Sequence, residues 1–328
     1  MHNSFMKKAT PYLLLLPVSV LLAIFLMGLS NGIAQSFGYA PYAGLTEPTF
    51  DYYVAAMSQY QLTDSIIYSI VLAAACTICA AVGAIALSAA LTRLNAGPQT
   101  KLFALSVPLS VAHIVVALMV VIMCGSSGMI ARVLFALGLI QDAQTLPSVI
   151  GAKSGWGIIL VFMFKEIPYI TLCTITLMSN IGNSFSEASA SLGASPIRTF
   201  FTVTLPLCKS PIIRASLVVF AFAFGSYEIP YLLGTTNPKT IAVMAFYEFQ
   251  NNDIVNRSYA MTLITMMIVI TLIVAIVYFV LMNRESGGMG GRGDRTGRVA
   301  GEAQPTAVSV RAVSPPADAS PSQGGRHD

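Results

Sequence analysis

The chain has 328 residues, 55% of them hydrophobic and only 10% charged, with a formal net charge of +4. A soluble domain carries about 25% charged residues, so this composition excludes an ordinary water-soluble fold and points to a polytopic membrane protein. The positive balance does not mark a nucleic-acid binder. Six of the basic residues lie in the last 46 positions and most others flank apolar runs, which leaves no basic folded face.

Windows of about 20 residues, the length that crosses a bilayer as a helix, give six spans: 12–32, 65–92, 102–124, 155–179, 211–234 and 259–282. The first follows Lys7 and Lys8. Its apolar stretch is longer than that of a signal peptide and no Ala-x-Ala site follows, so it is read as a retained helix. The segment 33–64 contains no Lys or Arg. The second span is too long to cross upright and is expected to tilt or to extend beyond the membrane. Within it, Cys76-Thr77-Ile78-Cys79 resembles a metal or redox pair, but no second pair or nearby His supports zinc, so the cysteines are read as packing residues and no metal is expected. After the third span, Met129 to Leu137 is amphipathic and predicts a short helix on the outer face. Trp156, the only tryptophan, stands near the start of span four, where an indole suits the membrane interface.

Charge asymmetry orients the six spans. With the N-terminus inside, Lys7, Lys8, Arg93, Lys101, Arg198, Lys209 and Arg214 fall on the inner side, against Arg132, Lys153, Lys239 and Arg257 outside. The positive-inside rule therefore predicts an all-α membrane protein with both termini in the cytoplasm. Residues 1–282 form the six-helix domain. From 283 to 328 the sequence is rich in Gly, Pro, Ser, Ala and Arg, too poor in large apolar side chains to offset the entropy of ordering, and is expected to be a disordered cytoplasmic tail. Gly288 to Gly293 fits G-x-G-x-x-G, but no strand precedes it and no helix is expected after it. The Arg292-Gly293-Asp294 tripeptide is a product of the biased composition. No P-loop pattern occurs, so an energy source for active transport lies on another chain or in an ion gradient.

The most informative segment is the loop at 181–208. Ser184 and Glu187 have capping-box spacing and predict a helix start. Gly193 is placed to end that helix in the left-handed conformation. Ser195 can cap a second helix with Pro196 at its first position, and Leu205-Pro206 marks the expected end of that helix near the membrane. The result is a short helix, a turn and a second helix, with small residues at 188–191 able to seat closely against a partner.

These residues resemble the permease motif of binding-protein-dependent ABC importers: Glu-Ala-Ala, three residues, Gly, nine residues, Ile, one residue, Leu-Pro. Glu187-Ala188-Ser189 opens the motif, Gly193 follows at the family spacing, and Val203-Thr204-Leu205-Pro206 closes it. Ser189 stands for the second Ala and Val203 for Ile, both nearly the same in size. From about residue 10 to 283 the chain is similar to the polyamine-type branch, through Phe164-Lys165-Glu166-Ile167-Pro168-Tyr169 and Gly225 to Gly234. The resemblance implies a type I importer permease in a bacterial inner membrane. It also implies that the chain is not itself an enzyme and holds no cofactor, ATP being bound by a partner subunit that docks at Glu187, Ala188, Ser189, Gly193, Leu205 and Pro206. Further implied partners are a second, different permease subunit rather than a second copy, an extracytoplasmic substrate-binding protein, and membrane lipid. Related branches serve thiamine, iron, sulfate and phosphonates.

Ionisable groups at membrane depth are costly and face a cavity or a partner. Four stand out: His113, Lys165, Glu166 and Glu228. Lys165 and Glu166 project about 100° apart on a helix. Glu228 follows Tyr227 and precedes Pro230, which frees a backbone carbonyl in the preceding turn. A carboxylate beside an aromatic ring suits an organic cation, whereas a structural ion pair of Glu228 with Lys165 is the plain alternative. For His113 the plain alternative is a hydrogen bond to a neighbouring helix. An ion-coupled secondary transporter fits less well, because no internal repeat is visible and the 181–208 motif would have no role.

Overall fold

The computed structural model describes residues 2–41, 44–94, 97–140, 150–191, 193, 195–251 and 254–290. Among the described residues every regular element is helical, apart from an isolated bridge pairing Ala40 with Leu45. Met1–Val280 forms one compact unit.

The chain enters through α1 (His2–Ser36), then α2 (Asp51–Ser58) and the long α3 (Tyr60–Arg93). Span three is two helices, α4 (Pro98–Ser110) and α5 (His113–Cys124), followed by the short α6 (Met129–Ala136) expected from the amphipathic stretch. Next comes α7 (Trp156–Ser191). Beyond it, α8 (Pro196–Thr199) passes through a π-turn (Phe200–Thr204) into α9 (Leu205–Gly225). The chain continues with α10 (Glu228–Leu233), α11 (Ile241–Gln250) and α12 (Ile254–Gly290). Among the described residues six segments are long and apolar enough to cross a membrane: Leu14–Ser36, Tyr60–Leu91, His113–Ala136, Trp156–Ile175, Ile197–Gly225 and Asn256–Val280.

The core is the packing of α3 against α7 and α9. Ala73, Cys76, Ala80, Gly83 and Ala84 recur at helical spacing on α3, and a stripe of small residues lets a neighbouring backbone come close. Opposite them α7 buries Ile158, Phe162 and Ile170, and α9 buries Ile212, Ala215 and Val219. Cys76 is wholly buried in this packing beside Leu72, Ile158 and Phe162. The hydroxyl of Thr171 on α7 donates to the carbonyl of Ala84 on α3 at 3.4 Å. A Cβ on Gly83 would lie 2.4 Å from Ile167 Cδ1. Gly83→Leu is therefore expected to force the two helices apart at a cost of about 1–3 kcal/mol. The variant should show a lower Tm in detergent, and trimming the obstacle with Ile167→Ala should restore part of it. An unchanged Tm for Gly83→Leu would show that this contact does not limit stability.

Two expectations are corrected here. No helix starts at Ser184. The helix begun at Trp156 runs unbroken to Ser191, because extending an existing helix avoids the cost of a new nucleus. Leu205-Pro206 does not end the second helix. Pro206 lacks an N–H, and the preceding π-turn, in which the Leu205 amide donates to Phe200 O, gives a wide turn that spares its ring the clash with the turn before. The sixth helix runs past position 283 to Gly290. Residues 291–328, the rest of the expected tail, lie outside the described residues.

Candidate functional site

Gly193, just past α7, has φ +72°, the left-handed conformation expected of it. Ser195 then caps α8: its Oγ accepts from the backbone N–H of Arg198, the third helical position, at 3.4 Å. Because α8, the π-turn and α9 are contiguous, the helix that Ser195 caps runs directly into span five. Glu187, Ala188 and Ser189 lie on the last turns of α7; their side chains are outside the described residues.

The second cluster gathers around two breaks in the bundle. In span three the helix opens at Val111 and Ala112, both extended. Pro108, two residues before the end of α4, offers no N–H to the turn before it. Lys165 of α7 closes the gap chemically. Its ammonium donates to Leu109 O at 2.7 Å and to Val111 O, and a cation suits the carbonyl end of a helix. The next residue, Glu166, reaches the other side of the break, where its Oε1 lies 3.3 Å from Nε2 of His113, the first residue of α5. Lys165 is 5% and Glu166 7% exposed, so both charges are buried and both are partnered. His113 also packs on Phe222, ring centroids 4.8 Å apart.

Phe222 stands one turn before the second break, where span five opens at Ser226 between α9 and α10. Pro230 has no N–H for the Ser226 carbonyl, and α10 restarts at Glu228. The two half-helices that follow the breaks, α5 and α10, pack against each other. Glu228 is exposed and makes no hydrogen bond or ion pair among the described residues. The ion pair considered between Glu228 and Lys165 is therefore not formed. Beside it, Tyr227 stacks on Phe246 of α11, centroids 4.5 Å apart and 21° between planes, and Tyr231 meets Phe246 edge-on at 5.5 Å. Tyr247 extends the shelf and already carries a cation: Lys239 Nζ lies 4.3 Å from its ring centroid. Tyr227 and Phe246 also line a cleft of about 730 Å³, together with Gly225, Met261, Ile264 and Thr271.

The sequence placed His113, Lys165, Glu166, Tyr227 and Glu228 in the membrane, and the structure sorts them. His113, Lys165 and Glu166 come together at the break in span three. Tyr227 and Glu228 stand at the break in span five. Phe246 and Tyr247 were missed. Their signal was the aromatic pair after Thr240, which caps α11 by accepting from the Val243 N–H at 3.4 Å.

Residues 101–286 match the family described as the binding-protein-dependent transport system inner membrane component. The chain is 31% identical over 179 residues to the inner membrane ABC transporter permease protein YdcU of Escherichia coli K12, covering 52% of this chain and 57% of that protein. It is 32% identical over 96 residues to the molybdate/tungstate transport system permease protein WtpB of Methanocaldococcus jannaschii, covering 29% of this chain and 38% of that one. The chain thus matches 57% of the length of the first relative and 38% of the second. In fold it superposes on a chain of a bacterial ABC transporter that imports the acidic polysaccharide alginate, with a TM-score of 0.68 over 86% of this chain and 98% of that one at 17% identity. With 101–286 of 328 residues inside the family match and six segments able to span a bilayer, the chain belongs to the binding-protein-dependent transport system inner membrane components and is a multi-pass inner-membrane protein.

Proposed function

We propose that this chain is the permease subunit of an ATP-driven importer, passing a small solute from an extracytoplasmic binding protein towards the cytoplasm while a separate subunit hydrolyses ATP. The observation that carries this reading is the folded form of the 187–206 motif: a helix end, a left-handed Gly193 and a capped α8 that runs straight into span five. A partner pressing on that turn moves a transmembrane helix without an intervening flexible loop. ATPase subunits are assigned to this turn, which puts both termini in the cytoplasm, in line with the charge asymmetry.

The path is assigned to the face that carries the broken spans, since half-helix ends and exposed backbone are tolerated at membrane depth where they line a cavity. A second permease subunit completes it. Two features support that assignment: the cleft lined by Tyr227 is not enclosed within this chain, and the apolar window of α1 buries none of its residues within it. The polyamine-type resemblance favours a different second chain over a second copy. The solute is assigned as a small organic cation, a polyamine first, on the unpaired carboxylate of Glu228 beside the aromatic shelf. An anionic solute is the second reading, favoured by the similarity to a molybdate/tungstate permease.

The test is purification of the complex from the native membrane, followed by identification of the binding protein that docks on it and of that protein's ligand. A soluble ATPase that co-purifies with the chain is the expected result. Its absence, with uptake driven by an ion gradient alone, would overturn the importer reading. A ligand such as sulfate or a phosphonate would leave the importer reading standing and remove the cation.

A further inference from the structure

We propose that Lys165 and Glu166 are positioning residues that clamp the two halves of span three and pass the movement of the ATPase-coupled turn to that break. This rests on the reading that the ATPase docks around 187–193. The chemistry of the break favours a clamp over a solute contact. Interrupting a helix in the membrane strands carbonyls at one end and amides at the other, each costly without a partner. Lys165 Nζ takes the carbonyls of Leu109 and Val111 at the end of α4, and Glu166 holds His113 at the start of α5. A cation at the carbonyl end and a carboxylate near the amide end match the polarity of both half-helices. Neighbours in sequence on α7, the two side chains diverge by about 100° and so reach opposite sides of a gap only two residues wide. Both are more than nine-tenths buried with partners in hand, whereas a group that meets a passing solute needs an unused valence.

The clamp shares one helix with the coupling turn. α7 is continuous for 36 residues, about 54 Å, and Glu187 lies about 32 Å along the same helix from Glu166. Although Pro168 sits inside it, the helix continues through that position. A shift of α7 at its Ser191 end therefore carries both gripping side chains with it, and the half-helices α4 and α5 must follow or let go. Since α5 packs on α10, the movement reaches the second break and Glu228.

The test uses the full complex, with its ATPase and binding protein, in proteoliposomes. Spin labels at the exposed Leu102 on α4 and Met119 on α5 report the geometry of the break. Lys165→Met, which keeps length and loses the donors, is expected to widen the label-to-label distance distribution at least about twofold. It should also lower maximal uptake about tenfold, with the KM for loaded binding protein within about twofold of wild type and the ATPase still bound. Lys165→Arg should restore a narrow distribution and most of the uptake. A narrow distribution with normal uptake in Lys165→Met overturns the clamp, and so does a change confined to KM, which would place Lys165 against the solute. If Lys165→Met does not assemble, Lys165→Gln, which keeps an amide donor, replaces it under the same criteria. Failure of the wild-type chain to retain any ATPase would instead remove the underlying importer reading.

Discussion

Gly193→Val is expected to lower uptake at least about tenfold while the chain still inserts in the membrane in normal amount. The backbone at 193 has φ +72°, where an L-residue with a side chain is strained by about 1–2 kcal/mol and a β-branched one by more. A built Cβ there meets nothing within 4 Å, so within this chain the cost is conformational and not steric. Relief comes by moving φ to negative values, which swings α8 away from its position at the end of α7. Because α8 is continuous with α9, the displacement is felt in span five. Gly193→Asn separates the causes, since asparagine tolerates the left-handed region. If the backbone angle matters, Asn should keep most of the uptake and Val should lose it. If the ATPase surface presses close on the glycine, both should fail alike. Binding-protein-stimulated ATP hydrolysis that stays at the wild-type rate in Gly193→Val would disprove a coupling role for this turn.

What the sequence made legible was the regular part of the molecule. Six apolar runs of sufficient length gave six candidate spans because hydrophobicity and length are the quantities a bilayer selects. Gly193 and Ser195 were legible because their chemistry is local: left-handed backbone is the province of glycine, and a serine oxygen caps the helix it precedes. The breaks were not. Hydropathy windows average over Val111-Ala112 and over Ser226 as if the helix continued. Pro108 and Pro230 were the visible warnings, but a proline within a span can kink it or open it. Which outcome holds depends on a partner for the freed carbonyls, and for span three that partner, Lys165, is more than 50 residues away. The capping box at Ser184 failed for a related reason. Cap spacing marks a helix start only where no helix is already running, and α7 arrives there from Trp156.

Glu228→Gln tests the path and reads the sign of the solute's charge. The side chain is exposed and unpaired among the described residues, so neutralising it removes no ion pair; surface changes of this kind cost within about 0.5 kcal/mol. Assembly, insertion and ATPase docking should therefore match wild type, and Lys165→Met should give no rescue, because Lys165 is engaged with Leu109 and Val111 instead. What changes is the field at the break in span five. If the solute is a cation, losing the carboxylate beside Tyr227 and Phe246 should slow uptake about tenfold, an effect of about 1.4 kcal/mol. The loss should shrink as salt rises, since Glu228 is reached by solvent. If the solute is an anion, the same substitution removes a repulsion and uptake should rise. Lys239, whose ammonium lies 4.3 Å from the Tyr247 ring, provides the complementary change. Lys239→Gln empties that end of the shelf, and should speed entry of a cation and slow entry of an anion. Opposite responses of the Glu228→Gln and Lys239→Gln variants place both charges on the route. Uptake indifferent to both would move the route to another face of the bundle.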